Sequence, residues 1–399
     1  MFLRRSLPLI APLFFIFALA GFSSRAQEPP TLRPAATPTP SPREEQEPLR
    51  IFTEEVQLPV VANDDYGHFD PTLERDDILV LEDRVPQQVK SIRRIPASVL
   101  LVLGTGSEIS SDIRAETTRD FALNLIEGLR PGDNISVIQF ARNAELIQDW
   151  TTDKNQVTHT LRTKLFSGRG SHLSTALDAA IHQLENQPLG NRHVVLVTDG
   201  VDLPGHLDYQ GAMRALSGDA LERSRTELRE AVKRLNEAQA TVHVISYTTL
   251  VRQALAGNRG TTHVSPTHTQ QSHPDMAAIV DPTMPPGMTR SSSVGVAINF
   301  DPQMSRLRKA YERATKRSEQ QLTSLAEDMG GRIWLPANAE QMAAQGAEVA
   351  RDIGAQYVVT YKPTRPLSEA RAGEYRRIEV ASHRVGLHLR SRRGYVITR

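Results

Sequence analysis

Apolar and polar positions change rhythm several times along the chain. Leu7–Phe22 is almost unbroken apolar sequence, preceded by Arg4-Arg5 and followed by Ser24-Arg25-Ala26. Glu28–Pro48 has no apolar periodicity and is rich in Pro, Thr and Glu, including Thr37-Pro38-Thr39-Pro40-Ser41-Pro42. Such a stretch cannot bury a core and favours extended polyproline conformation, which predicts a spacer. From Leu49 to Ile95 the positions alternate in short runs. Glu55–Val61, Asp77–Asp83 and Gln87–Ile92 read as strands and Asp64-Asp65-Tyr66-Gly67 as a turn, so residues 49–95 are expected to form a small β domain.

After Pro96 the rhythm alternates between buried runs and helical stripes. Val99–Leu103 is wholly apolar, as the centre of a parallel sheet requires, and Ile135–Phe140, His193–Thr198 and Thr241–Tyr247 follow as further strands. Between them, Ala115–Leu129 aligns Phe121, Leu125 and Leu129 on one helical face and stops at Pro131-Gly132-Asp133. Leu173–Leu184 and Ala220–Ala238 are further helices. This alternation predicts βαβ crossovers and an α/β fold, a mostly parallel sheet flanked by helices. Periodicity is lost from Ala254 to Asn299, an insertion expected to be disordered. Arg306–Met329 resumes as a helix ended by Gly330-Gly331. Ile333–Leu335, Gln356–Tyr361 and Arg376–Val380 are expected to close the domain of residues 96–399.

Composition narrows the setting. The 399 residues carry 47 Lys+Arg against 46 Asp+Glu, a formal net charge of +1, which speaks against a nucleic-acid partner. There are no cysteines, which excludes thiolate metal sites, thiol catalysis and lipid attachment through an N-terminal cysteine. Residues 1–26 read as a signal peptide, because the apolar run is short of the ~20 residues of a spanning helix and ends in a small-x-small site. Residues 27–48 are the Pro-rich linker. The expected address is exported, periplasmic or secreted; a membrane is involved only if the first segment stays uncleaved.

Several motifs point in one direction. Leu79-Val80-Leu81-Glu82-Asp83, Leu129-Arg130-Pro131-Gly132-Asp133 and Leu196-Val197-Thr198-Asp199-Gly200 occur in order. Leu325-Ala326-Glu327-Asp328-Met329-Gly330-Gly331, Gln356-Tyr357 and Arg393-Gly394-Tyr395 follow. Together they resemble the bacterial exported proteins related to the von Willebrand factor type A domain, from Leu49 to the C terminus apart from the insertion. The resemblance implies a Rossmann-like type A domain preceded by a small β-rich domain. It also implies a metal-ion-dependent adhesion site, in which an Asp-x-Ser-x-Ser loop, a Thr and an Asp hold a divalent cation through oxygen ligands.

Those ligand positions fall on Gly104, Gly106, Glu108, Ser171 and Asp199. Ser171 and Asp199 keep suitable oxygens, Glu108 adds a displaced carboxylate, and neither glycine has a side-chain oxygen. The site is therefore expected to be degenerate, holding Mg²⁺ weakly or not at all through Glu108, Ser171 and Asp199. The implied function is a non-catalytic, metal-independent protein-binding or adhesion module. It would meet another envelope or extracellular protein through Thr105, Ser107, Glu108, Ser171 and Asp199. The alternative is a divalent-metal-dependent adhesin with a variant site.

Other chemistry is poorly supported. Gly104-Thr105-Gly106-Ser107 follows a strand as a phosphate loop would, but Ile109 stands at the third glycine position and no Lys-Ser or Lys-Thr follows. Ser107 lacks the Gly-x-Ser-x-Gly frame of a nucleophile, so catalysis is not expected. His263, His268 and His273 read as solvated, and Asp202 as a surface loop residue. Arg390, Arg392 and Arg393, with Arg376 and Arg377, read as a solvated strand edge guarded by charge.

Overall fold

The computed structural model describes residues 55–106, 111–203, 209–257 and 302–397. The expected signal peptide and linker, Ser107, Glu108, Ile109, His263, His268, His273 and residues 258–299 of the expected insertion lie outside the described residues. The N-terminal strands are β1 (Val56–Asn63), β2 (Ile78–Glu82), β3 (Val85–Gln87) and β4 (Val89–Arg93). The central segment runs β5 (Ser98–Gly104), α1 (Ser111–Gly128), β6 (Asn134–Phe140), β7 (Ala144–Thr151), α2 (Lys154–Lys164), α3 (Leu173–Leu184) and β8 (Arg192–Thr198). It continues with α4 (Tyr209–Ala215), α5 (Gly218–Glu237), β9 (Thr241–Ser246) and α6 (Thr248–Gly257), whose last four residues are the start of the expected insertion. After it come α7 (Pro302–Asp328), β10 (Ile333–Trp334), α8 (Ala339–Gly354), β11 (Gln356–Tyr361), β12 (Tyr375–Ser382), β13 (His388–Ser391) and β14 (Gly394–Val396).

The apolar runs make the expected sheet, with order β10-β9-β8-β5-β6-β7. It is parallel except for β7, which turns back antiparallel along β6. Alternate residues of the buried strands feed two layers. Leu101, Leu103, Val195 and Val197 pack with Phe121 and Leu125 of α1 and Met342, Val349 and Ile353 of α8. Leu100, Val102, Val194 and Leu196 pack with Leu173 and Leu177 of α3, Leu235 of α5 and Leu322 and Leu325 of α7. The α1–α8 contact is close: a Cβ on Gly346 would stand 2.5 Å from the Phe121 carbonyl oxygen. Among the described residues no helix is long and apolar enough to cross a membrane.

β7, α2 and α8 carry no clear signal in the sequence. β7 is an edge strand with exposed Glu145, Leu146 and Asp149, so its alternation is blurred. α2 buries only Val157, Thr160 and Leu161, and its start is set by Asp153, whose side chain accepts from the Asn155 and Gln156 amides. α8 starts in the same way at Asn338, which accepts from the Gln341 amide.

The strands outside the parallel sheet are arranged differently from expectation. Gln356–Tyr361 and Arg376–Val380 do not close the parallel sheet; they pair with the strands of residues 49–95. One four-stranded sheet has the order β13-β1-β11-β4 and the other β14-β12-β2-β3. β1 lies antiparallel to β11 from Val56↔Tyr361 to Val61↔Gln356, and β2 to β12 from Ile78↔Ser382 to Glu82↔Ile378. Leu58, Val60, Val80, Val359, Tyr361, Ile378 and Tyr395 form their common core.

The arginine cluster is also corrected. Arg376 is fully buried, and its guanidinium donates to Glu82 at 2.7 Å and to the Arg365 and Pro366 carbonyls at 2.8 and 3.0 Å. The other Glu82 oxygen accepts from the Tyr361 and Tyr395 hydroxyls at 2.7 and 3.0 Å. Arg392 is buried over the Tyr395 ring, 5.6 Å from its centroid, and burial lowers its pKa to about 10. Arg393 pairs with Asp328 and Glu327. Arg376 and Arg392 are withdrawn from water and so bond to internal acceptors, whereas Arg393 and Arg377 stay exposed as expected.

At the amino ends of β8 and β9 a second buried polar group joins the two parts. His193 Nδ1 and His243 Nε2 are 3.1 Å apart, and His193 Nε2 is 2.9 Å from Asn191 Oδ1, which also accepts from Gln356 of β11 at 2.7 Å. Both oxygens of Asp352 of α8 accept from Arg390 Nη2 of β13 at 2.6 Å, while Arg390 Nη1 donates to the Gly330 carbonyl; Asp352 also stands 3.4 Å from His243.

Candidate functional site

The carboxyl end of the parallel sheet gathers three loops, at residues 104–106, 168–172 and 199–203. They are stitched by backbone bonds. The Thr105 amide donates to the Phe140 carbonyl at 2.9 Å and the Gly168 amide to the Thr105 carbonyl at 3.3 Å. Ser171 and Leu203 exchange amide–carbonyl bonds of 2.7 and 3.1 Å, and the His172 amide donates to the Ala141 carbonyl at 3.0 Å.

The glycines of the first loop are demanded by this packing. A Cβ on Gly104 would stand 2.6 Å from the Val197 carbonyl oxygen, and one on Gly106 only 1.7 Å from the Gly170 carbonyl oxygen. Both obstacles are backbone, which cannot swing aside as a side chain does. Neither position has room for the Asp or Ser that the resemblance assigns to it.

Asp199 is buried just beyond β8 and its carboxylate is fully engaged. Oδ2 accepts from Arg114 Nη2 at 2.8 Å and from the Tyr311 hydroxyl at 2.6 Å; Oδ1 accepts from the Val201 amide at 3.1 Å. Its backbone carbonyl accepts from Ser318 at 2.6 Å. Arg114 reaches in from α1, donates its Nη1 to the Gly106 carbonyl at 3.1 Å, and lies 5.0 Å from the centroid of the Tyr247 ring. The Tyr247 hydroxyl donates to the Arg114 carbonyl at 3.2 Å and contacts the Thr118 hydroxyl. Burial opposes the charge on Arg114, but Asp199, Tyr311 and Tyr247 outweigh it and leave its pKa raised. Burial raises both tyrosine pKa values, with Asp199 adding to the effect.

The expected site residues are therefore distributed unevenly. Ser171 is half-buried and bonds through its backbone. Thr105 is fully buried, and its hydroxyl has no hydrogen-bond partner among the described residues. Thr105 and Asp199 were expected to touch a partner, and this is corrected: their side chains are closed beneath the loops. Asp202 is corrected too, since it is no solvated loop residue. Its carboxylate accepts from the Leu173 amide at 2.7 Å and the Ser224 hydroxyl at 2.9 Å, holding the start of α3. Burial raises its pKa, while those two donors and His172 pull it back.

Two features of this end are absent from the expectations. Phe166 is 63% exposed, and its backbone amide and carbonyl are clasped by the Gln139 side chain at 3.1 and 2.9 Å. Its exposure has no local sequence signal. Arg114, on α1, reaches its partner Asp199 across 85 residues of sequence and likewise has no local signal.

Residues 99–201 match the von Willebrand factor type A domain family. No curated protein matches the chain. Among solved structures the chain is similar to the conserved hypothetical protein BatB from Bacteroides thetaiotaomicron, at 22% identity and a TM-score of 0.29, over 38% of this chain and 66% of that one. It is also similar to the PilB minor pilin from Streptococcus sanguinis, at 12% identity and a TM-score of 0.36, over 66% of this chain and 62% of that one. A von Willebrand factor type A protein from Catenulispora acidiphila aligns at 9% identity and a TM-score of 0.39, over 83% of this chain and 76% of that one. From the first residues of the central strand to the loop behind Asp199, the chain is thus similar to the von Willebrand factor type A domain.

Proposed function

We propose that the chain is an exported, non-catalytic protein-binding module of the adhesion type. It meets another envelope or extracellular protein with the loops at the carboxyl end of the parallel sheet, and it does so without a divalent ion. The observation that carries this reading is the closure of the first loop, with backbone oxygens 2.6 and 1.7 Å from any Cβ at Gly104 and Gly106. A hard divalent cation wants about six oxygens in a near-octahedral array. The described residues do not fit that requirement, because two ligand positions have no room for a side chain and the Asp199 carboxylate is already taken. The non-catalytic part rests on the same economy of contacts. Asp199, Asp202, Tyr247 and Tyr311 are all held by internal hydrogen bonds, so none of these four is free to act as a catalytic acid or base.

Contact with the partner then falls to what the face exposes. Phe166, an aromatic held by two bonds to one side chain, is the natural anchor, with Ser171 and His172 beside it in the chain. Affinity capture from an envelope extract, with and without EDTA, tests the reading. Recovery is expected to be the same in both, and Phe166→Ser is expected to weaken the captured complex about tenfold or more. Capture abolished by EDTA, or calorimetric Mg²⁺ or Mn²⁺ binding that Asp199→Ala removes, sinks it.

A further inference from the structure

We infer that the Arg114 guanidinium is a resident cation that takes the place of the divalent ion in this type A domain. The inference rests on the metal-free reading above and extends it from the absence of ligands to the presence of a substitute. Of the positions to which the resemblance assigns ion ligands, Arg114 bridges two: Nη2 meets the Asp199 carboxylate at 2.8 Å and Nη1 the Gly106 carbonyl at 3.1 Å. The two side chains are 7% and 3% exposed, so this is a charge pair withdrawn from water.

Three further observations support it. Arg114 turns its guanidinium inward from α1, and both of its acceptors lie outside that helix. The remaining surroundings suit a monovalent organic cation: the Tyr247 ring lies 5.0 Å away, at a distance typical of cation–π contact. Charge also balances. The carboxylate expected at position 104 is a glycine, so one buried anion, Asp199, remains in contact and one guanidinium neutralises it. A divalent ion paired with Asp199 alone would carry one positive charge more than that carboxylate neutralises, which is costly in low dielectric. Tyr311 of α7 completes the arrangement by donating to the same Asp199 oxygen at 2.6 Å. The loops are thus held in one state whatever the concentration of divalent ions outside.

Thermal melts of the full chain test this on four proteins: wild type, Arg114→Ala, Asp199→Asn and the double variant, each in EDTA, MgCl₂ and MnCl₂ at matched ionic strength. The wild-type midpoint is expected to ignore the metals. Arg114→Ala should melt on the order of 5–10 °C lower, because it strands a buried carboxylate. The double variant should lose less than the sum of the single losses, since neither charge is then left alone. If Arg114→Ala fails to fold, Arg114→Lys replaces it in the same cycle. Strictly additive losses overturn the inference, as does a metal-induced rise of the wild-type midpoint that Asp199→Asn removes. The two readings fail separately: additive melts with EDTA-insensitive capture remove only the substitute cation. EDTA-sensitive capture with non-additive, metal-insensitive melts removes only the metal-free binding.

Discussion

The two ends of the parallel sheet bury charge by different means. At the carboxyl end the pair Arg114–Asp199 is drawn from α1 and the loop after β8, with Tyr247 and Tyr311 packed around it. All of these partners come from the parallel-sheet segment and the helix α7 against it, so the buried pair is satisfied without the antiparallel sheets. At the amino end the partners come from separate pieces of the chain: His193 and His243 from the parallel sheet, Asp352 from α8, and Arg390 and Gln356 from the antiparallel sheets. A buried polar group must find a partner wherever it can. When the partners belong to different sheets, satisfying them also fastens the sheets together. One end is therefore a surface with a rigid floor, and the other a joint.

Breaking the joint is expected to have the largest effect. Asp352→Ala removes both oxygens that accept from Arg390 Nη2, leaving the guanidinium only the Gly330 carbonyl, and is expected to cost about 3 kcal/mol, near the low end for a broken buried pair because Arg390 is 27% exposed. Urea denaturation at neutral pH measures it, and a change below that of an ordinary surface substitution would show that the joint is not fastened by charge. At the other end, Gly106→Ser restores the family's residue but places its Cβ 1.7 Å from the Gly170 carbonyl oxygen. It is expected to cost about 2 kcal/mol in the same measurement and to confer no Mg²⁺ binding. A gain of Mg²⁺ affinity would reopen the divalent site.

The ends should also differ in pH dependence, by a smaller amount. Burial holds His193 well below the usual histidine range, with His243 adding to the effect. Burial, then Arg390 and Arg332, lower His243 to about 3. Asp352 pulls His193 the other way but does not outweigh burial. The folded protein keeps these rings neutral, whereas the unfolded chain protonates them below its ordinary value of 6.5. Their stabilising contribution is therefore complete above that value and is lost as pH falls toward about 3. Denaturation at a series of pH values should show a shallower acid slope in His243→Gln than in wild type. Equal slopes would place the acid sensitivity elsewhere.

Much of the scaffold was legible because burial leaves a local rhythm. The apolar run Val99–Leu103 could only be a central strand, and the stripe of Leu173–Leu184 matches α3 at both ends. Elements that bury little were silent: β7 shows polar residues along an exposed edge, and α2 offers only three buried positions. At the candidate site the missing oxygens of Gly104 and Gly106 were readable, and so was the survival of Asp199. What Asp199 does instead was not, since Arg114 lies 85 residues away in the chain. Asp202 was misjudged for a related reason: its partners Leu173 and Ser224 are 29 and 22 residues distant.

By itself, then, the sequence determined the α/β alternation, the type A resemblance and the loss of the first ligand loop. These depend on residue type and spacing over a few turns, which set how each segment meets a core. Only the tertiary structure decided that strands near residue 60 pair with strands near residue 360, that Arg376 and Arg392 are interior, and that a guanidinium meets Asp199. Those outcomes depend on which distant segments arrive at the same buried place, and a charge deprived of water must accept the partner that the fold brings to it.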